Sequence, residues 1–249
     1  MTAEGMAGLA KGLAILEAFG DGTPRLTISD ASRATGLSRA AARRCLNTLT
    51  ELGYVTFDGK FFAPTPRILR IGATYTESAA LPKLAQPHLA AIRDSIDESA
   101  SLAVRYDNDS LFIARSEGTR IINTGVRVGA RIPLYASATG HVLLGSLDPA
   151  ELADYLAAAP FPARTPKTPT TAVEVEDRVL AARAAGVAIN SEELEVGLLS
   201  ISVPVHDPDG RLVAAVSVSA SSSRVAVDEL RDRFAPVMKV HAAALGRQL

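Results

Sequence analysis

A single cysteine, Cys45, stands in 249 residues, which excludes an internal disulfide framework. Its place on the inward stripe of a helix delineated below makes it a small buried hydrophobe, not a redox sensor. No apolar run approaches the ~18 residues of a membrane span, and Lys11 and Glu17 interrupt the stretch Leu9–Phe19. The expectation is a cytoplasmic chain with no membrane partner. Catalytic signatures are missing too. The histidines, His88, His141, His206 and His241, are scattered, with no His-Glu-x-x-His and no cysteine pair. His141, directly after Gly140, is expected on a helix surface. Ser137 lies in Ala-Ser-Ala-Thr-Gly, which lacks the first glycine of a nucleophile elbow, and neither phosphate-binding glycine fingerprint occurs. Glu192, Glu193 and Glu195 fit a solvated loop better than an acid/base pair. The chain is expected not to be an enzyme and to hold no metal or cofactor.

What is present is an ordinary globular composition, 47 % apolar and 21 % charged, long enough for about two domains. Charge is unevenly spread. The first 70 residues carry nine Lys/Arg against six Asp/Glu, and the remainder seventeen against twenty-one. A basic head on an acidic body fits nucleic-acid contact confined to the first quarter.

That quarter contains the parts of a winged helix-turn-helix in order. Thr27 and Asp30 have capping-box spacing, Gly36 can turn the chain in the left-handed conformation, and Ser38 can cap a second helix that runs to about Leu52 and stops at Gly53. Ala42, Cys45, Leu46, Leu49 and Leu52 form its inward stripe. The opposite face holds Ala40, Arg44, Asn47 and Glu51, flanked by Arg43 and Thr48, with Arg39 in the first turn. Guanidinium forks suit guanine edges and phosphate, Asn suits adenine, and a small Ala lets a helix approach a thymine methyl. A solvated face would mix in acids for i,i+4 pairs, whereas the first half of this helix has three Arg and no acid. The hairpin Tyr54–Phe62, turning at Asp58-Gly59, places Lys60 where a wing meets phosphate. Ser38, Arg39, Ala40, Arg43, Arg44, Asn47, Thr48 and Lys60 are therefore the candidate DNA-binding residues. Ahead of them, Ala7–Phe19 is a helix whose Leu9, Leu13, Leu16 and Phe19 are expected to pack on the inward stripe.

Pro64 and Pro66 mark a boundary, and Arg67–Ser78 follows as a linker helix with Leu69, Ile71 and Tyr75 available for packing. Beyond it the expected elements are a helix at Pro87–Ile96, an antiparallel meander of Ser101–Tyr106, Leu111–Ser116 and Arg120–Val126, and helices at Thr139–Leu147 and Ala150–Ala158. A proline-rich loop at Pro160–Pro169, a helix at Glu174–Ala185 ended by Gly186, strands at Val187–Asn190, Ser200–His206 and Arg211–Ala220, and a last helix from Val225 to Leu245 complete the pattern. The fold class is α+β: a winged helix-turn-helix domain over 6–66, a linker helix over 67–80 and an α/β sensor domain over 81–249.

The stretches GLAKGLAILEAF, ISDASRATGLSRAAARRCLNTLTELGYV, RVGARIPLYASATGHVLLG and SEELEVGLLSISVPVHDPDGRLVAAVSVSA resemble the IclR family of bacterial transcription regulators. The run RRCLNTLTELGYVTFDGKFFAPTPRILRIGATY resembles the branch that regulates aromatic-acid (β-ketoadipate pathway) catabolism. The resemblance implies a ligand-responsive regulator with a dimerising linker helix and a GAF-like effector domain. Its partners would be double-stranded operator DNA, a small organic, aromatic-type acid and a second copy of the chain, as a homodimer or tetramer. A different small organic acid, or no ligand at all, would fit the same architecture. Two heads on a near-palindrome also multiply the few contacts one head can make.

Carried over residue by residue, the family pocket falls on Ala138, Thr139, Asn190, Ser200, Ser217 and Ser219. Ser200 and Asn190 stand where some relatives place cysteine and an acid, so ligand identity does not transfer. Spacing independently puts Ser217 and Ser219 on one face of a strand and Val216 and Val218 on the other. Small hydroxyls opposite an N–H-rich turn at Ala138–Gly140 suit a carboxylate, although the same serines also suit a crowded strand. Arg131 is a further effector-site candidate; it or Arg127 could supply the charge, or pair with Glu192, Glu193 or Glu195.

Overall fold

The computed structural model describes residues 5–20, 23–118, 126–158 and 160–249. They divide into two compact units, Met1–Ser78 and Ala79–Leu249.

The first unit runs α1 (Ala7–Glu17), α2 (Ile28–Thr35), α3 (Arg39–Glu51), β1 (Val55–Phe57) and β2 (Phe62–Pro64). Local chemistry sets its boundaries. Thr27 Oγ1 accepts the Asp30 N–H at 3.2 Å, and the Asp30 carboxylate accepts the Thr27 N–H at 3.0 Å. The Thr27 hydroxyl and then the Thr27 N–H, both donating to the Asp30 carboxylate, hold it below the usual carboxylate range. Gly36 ends α2 at φ +69°, and Ser38 Oγ accepts the Ala41 N–H at 3.3 Å to open α3. Ala42, Leu46 and Leu49 then close a core with Ile15, Leu26, Ala31, Val55 and Phe62.

Three expected core residues lie elsewhere. Leu9, Leu13 and Leu52 are 60 %, 47 % and 51 % exposed, and the inward residue of α1 is Ile15. Helical spacing identifies an apolar stripe but not which stripe faces inward, and α1 has two. Leu9, Leu13, Leu16, Leu49 and Leu52 share an open apolar groove of about 660 Å³ with Ile71. Cys45 lines the same groove and is only partly buried.

The wing is built over four loop residues rather than at Asp58-Gly59 alone. The Asp58 carboxylate accepts the N–H groups of Lys60 (2.9 Å) and Phe61 (2.7 Å), with Gly59 at φ +99°. Those two donors depress the Asp58 pKa. Leu26 and Phe62 exchange both backbone hydrogen bonds, at 2.9 and 2.8 Å, stitching the wing to the segment before α2. A 3₁₀ turn, Pro66–Ile68, leads to α4 (Leu69–Ser78), so the linker helix is regular from Leu69 onward.

The second unit is built on a six-stranded, wholly antiparallel sheet, β5-β4-β3-β8-β7-β6. Its strands are β3 (Ala100–Tyr106), β4 (Asp109–Ser116), β5 (Arg131–Pro133), β6 (Ala188–Ser191), β7 (Leu198–His206) and β8 (Leu212–Ser221). The expected strand Arg120–Val126 lies, apart from Val126, outside the described residues. In β4 a bulge shifts the register opposite Leu102/Ala103, so Leu102 faces Ala114 but Ala103 faces Phe112.

Helices cover both faces. On one side α5 (Ala80–Ile96) and α10 (Ala235–Gly246) pack Leu89, Ile92, Ile96, Met238 and Leu245 on Leu102, Ile201, Val203, Val216 and Val218. α5 begins seven residues before the expected Pro87. Pro82 falls in the first turn, where its missing N–H has no helical partner to lose, so proline was a poor boundary marker here. The expected final helix is real but interrupted: α9 (Val227–Glu229) widens into a π turn, Leu230–Phe234, before Pro236 enters α10. On the other side α6 (Ala138–Leu144), α7 (Pro149–Ala157) and α8 (Ala172–Ala185) pack over Ala188 and Ala215. α6 stops three residues short of the expected Leu147. Among the described residues no helix is long and apolar enough to cross a membrane.

Candidate functional site

Two surfaces gather the candidate residues, one in each unit. In the first, Ser38, Arg39, Ala40, Arg43, Arg44, Asn47 and Thr48 are all exposed along α3, and Lys60 is exposed at the wing tip. Ser38 Oγ is engaged as the α3 cap. Arg44 and Thr48 border the apolar groove, while Arg39, Arg43 and Asn47 follow one another at four-residue steps. The wing adds a cation that sequence pattern did not single out. Arg25 lies 5.2 Å and Lys60 5.0 Å from the ring centroid of Phe61, so two cations share one aromatic. Arg25 precedes the Leu26–Phe62 bridge, a non-local pairing that brings it to the wing, where its guanidinium also lies 4.0 Å from the Asp58 carboxylate.

In the second unit, strand register assembles a polar sheet face. One row across the strands is Asn190, Ser200, Ser219, and the next is Ser202, Ser217, Ser101, Arg115. Val216 and Val218 turn to the opposite, apolar face. α6 packs over the polar side against β6, β7 and β8, with Ala138 and Thr139 buried at its start. There Ser137 Oγ accepts the Gly140 N–H at 3.1 Å and the Thr139 hydroxyl at 3.3 Å. His141 is buried, not on a helix surface: its Nε2–H donates to the Tyr135 carbonyl at 2.8 Å, and burial lowers its pKa.

Asn190 is held on both sides of its amide. Its Nδ2 donates to Ala136 O and to the Glu193 carboxylate, each at 2.9 Å, while Oδ1 accepts the Glu193 N–H at 3.1 Å. Glu193 is itself buried and paired with Arg178 at 2.8 Å, so it is no solvated loop acid. Glu192 pairs instead with Lys167. Of the two arginines considered for an effector charge, Arg131 is placed away from the serines. Arg131 is bonded to Asp109 at 2.8 Å, lies 3.9 Å from Asp107 and stacks on Tyr106. It pairs in register with Leu111, on the apolar face at the sheet edge, and so joins none of Glu192, Glu193 or Glu195. Arg127 is exposed.

Ser101, Ser202 and Arg115 complete the polar face and escaped the sequence pattern. Simple alternation along β4 puts Arg115 on the side away from Phe112; the bulge reverses that parity and brings both to one side. Ser101 joins Ser217 only because β3 pairs with β8, more than a hundred residues later.

Comparison with known proteins finds relatives for both units. The family model described as "IclR helix-turn-helix domain" matches residues 8–59, and that described as "Bacterial transcriptional regulator IclR C-terminal" matches residues 73–247. The Pca regulon regulatory protein of Pseudomonas putida is 39 % identical over 98 % of this chain and 84 % of its own length. A transcriptional regulator from Rhodococcus sp. RHA1 superposes with a TM-score of 0.82 at 38 % identity, over 97 % of each chain. The inducer-binding domain of an Acinetobacter PobR double mutant, solved with 3-hydroxybenzoic acid, superposes with a TM-score of 0.64 at 29 % identity, over 69 % of this chain and all of that one. With a helix-turn-helix head, an antiparallel sensor sheet and family matches across both, the chain belongs to the IclR family of bacterial transcriptional regulators and is a DNA-binding regulator, not an enzyme.

Proposed function

We propose that this regulator senses an aromatic carboxylic acid through the serine face of its second unit and reads a near-palindromic operator through paired heads. The observation that carries the reading is the double row of Ser101, Ser200, Ser217 and Ser219 on the sheet face beneath α6. Such a surface offers a carboxylic acid small hydroxyl donors. Relatives support the ligand class: a PobR inducer-binding domain was solved with 3-hydroxybenzoic acid. In this reading Ala138 and Thr139 border the ligand, and Asn190 is a brace that ties β6 to Glu193 and Ala136. The domain limits 6–66, 67–80 and 81–249 follow the same scheme. The open groove of Leu9, Leu13, Leu52 and Ile71 supports a homodimer, because an apolar surface of that kind is stabilised by a partner. Assembly of dimers into a tetramer would extend the same logic.

A melting-shift panel of hydroxybenzoates tests the sensor. A ligand at 100 times its Kd should raise stability by about 2.7 kcal/mol and change operator affinity. If no aromatic acid moves the melting temperature, the effector assignment falls.

For the head, Ser38, Arg39, Ala40, Arg43, Arg44, Asn47 and Thr48 are assigned to the major groove, with Lys60 and Arg25 on phosphate. Arg44→Ala should cost about 1–3 kcal/mol on operator DNA and relax preference at one base position. Lys60→Ala should weaken operator and random DNA alike and reduce the salt slope by about one. Anisotropy titrations at several salt concentrations separate the two. Equal losses on both DNAs for Arg44→Ala would move Arg44 to the phosphate group.

A further inference from the structure

The wing tip is closed by an acid and faced by two cations that come from different parts of the chain. The Asp58 carboxylate accepts the Lys60 and Phe61 N–H groups at 2.9 and 2.7 Å, which fixes the loop. Phe62, the next residue, is buried in the head core, whereas Phe61 stays half-buried at the surface. Its ring gathers Arg25, 5.2 Å from the centroid, and Lys60, 5.0 Å from it. Arg25 arrives there because Leu26 exchanges backbone hydrogen bonds with Phe62. The Arg25 guanidinium lies 4.0 Å from the Asp58 carboxylate, but both side chains are more than half exposed, so that pair is screened and weak. The aromatic face is the contact the two cations share. At an exposed site such a contact favours the stacked arrangement by about twofold to fivefold for each cation. Long Lys and Arg side chains otherwise lose much of their freedom when they are fixed on a phosphate. A ring that already holds both lowers that cost.

We infer that Phe61 is a positioning residue for DNA binding: its ring holds Arg25 and Lys60 as one preformed phosphate-binding pair at the wing tip. This rests on the assignment of both cations to phosphate proposed above, and it adds the residue through which they act together. Asp58 has a place in the same device. Two backbone N–H groups of the loop engage its carboxylate and Arg25 faces it, so the acid that closes the loop meets DNA partly neutralised. Phosphate carries no base identity, so the contribution of Phe61 is the same on every sequence.

Anisotropy titrations of the full-length protein on a random-sequence duplex, at several salt concentrations, test it. Arg25→Gln and Lys60→Gln should each weaken binding about fivefold to tenfold at about 0.1 M salt and lower the salt slope by about one. Phe61→Leu should weaken binding about threefold to tenfold and lower the slope as well, although it removes no charge. Phe61→Tyr keeps the ring and should hold both within about twofold of wild type. In the Phe61→Leu background, Arg25→Gln and Lys60→Gln should each cost only about twofold, because the cations no longer act as a pair. A Phe61→Leu protein with the wild-type slope overturns the inference, whatever its affinity, since a merely loosened head alters affinity alone. So does a loss that Phe61→Tyr shares, or costs that simply add in the double variants. If either Arg25→Gln or Lys60→Gln leaves the slope unchanged, its phosphate assignment fails and takes the paired reading with it. Should Phe61→Leu lack a cooperative melt, Phe61→Trp carries the test. Its wider face should tighten binding about twofold, and unchanged or weaker binding would overturn the inference.

Discussion

Gly140→Ala is expected to unfold or badly loosen the sensor unit. An added Cβ would stand 2.0 Å from the Leu134 carbonyl oxygen, 2.3 Å from Leu134 Cα and 2.4 Å from its carbonyl carbon. All three are backbone atoms, so no rotamer change relieves the contact; α6 itself must back away. That helix cannot retreat cheaply, since every residue of it is buried and its neighbours Leu134, Tyr135 and Ala136 sit in the same apolar cluster. The loss should reach or pass the roughly 3 kcal/mol that marks the upper end of ordinary overpacking. Urea unfolding followed by far-UV dichroism measures it, and effector binding should disappear alongside. A midpoint within experimental error of wild type would mean that the turn before α6 yields, and that the close approach is not structural.

Leu46→Ala should do the corresponding damage to the head. Leu46 is fully buried at the centre of a small core whose other members are Ile15, Leu26, Ala31, Ala42, Leu49, Val55 and Phe62. Emptying a buried leucine site costs about 2–5 kcal/mol, depending on how far the walls collapse. A unit of this size hides only about 60 % of the surface its unfolded chain exposes, so such a loss takes a large part of its stability. Operator binding at 37 °C should fall by about tenfold or more through loss of folded heads. Calorimetric affinity for the effector should stay within about twofold of wild type, because none of these residues belongs to the sensor unit. Intact operator affinity in Leu46→Ala would show that the core refills, and that head stability has ample reserve.

These two sites also mark how far sequence reasoning reached. The head was legible because its signals are local. Thr27 and Asp30, Gly36, Ser38 and Gly53 each act on backbone groups within a few residues, and each appears where spacing placed it. What spacing could not decide was direction. Leu9, Leu13 and Leu52 are as periodic as Leu46 and Leu49, yet the first group lines an open groove and the second a core. The start of α5 was hidden because the expected helix opens at Pro87, which in fact lies inside α5, and Pro82 falls in its first turn. In the sensor, Ser217 and Ser219 were found because they lie two apart on one strand. Ser101 depends on a strand neighbour more than a hundred residues away, and Glu193 on hydrogen bonds from Asn190 that no composition rule anticipates.

The bulge in β4 has a consequence for how such sensors change. Because one residue there faces no partner, the side to which everything after it points is governed by strand length and not by residue identity. If β4 kept its length but lost the bulge, Arg115 would move from opposite Ser101 to opposite Ala100, onto the apolar face beneath α5, whereas removing one residue together with the bulge would keep the guanidinium opposite Ser101. The face on which that charge sits therefore depends on the bulge and the strand length changing together, so a one-residue gap in β4 would mark a straightened strand and not a lost charge.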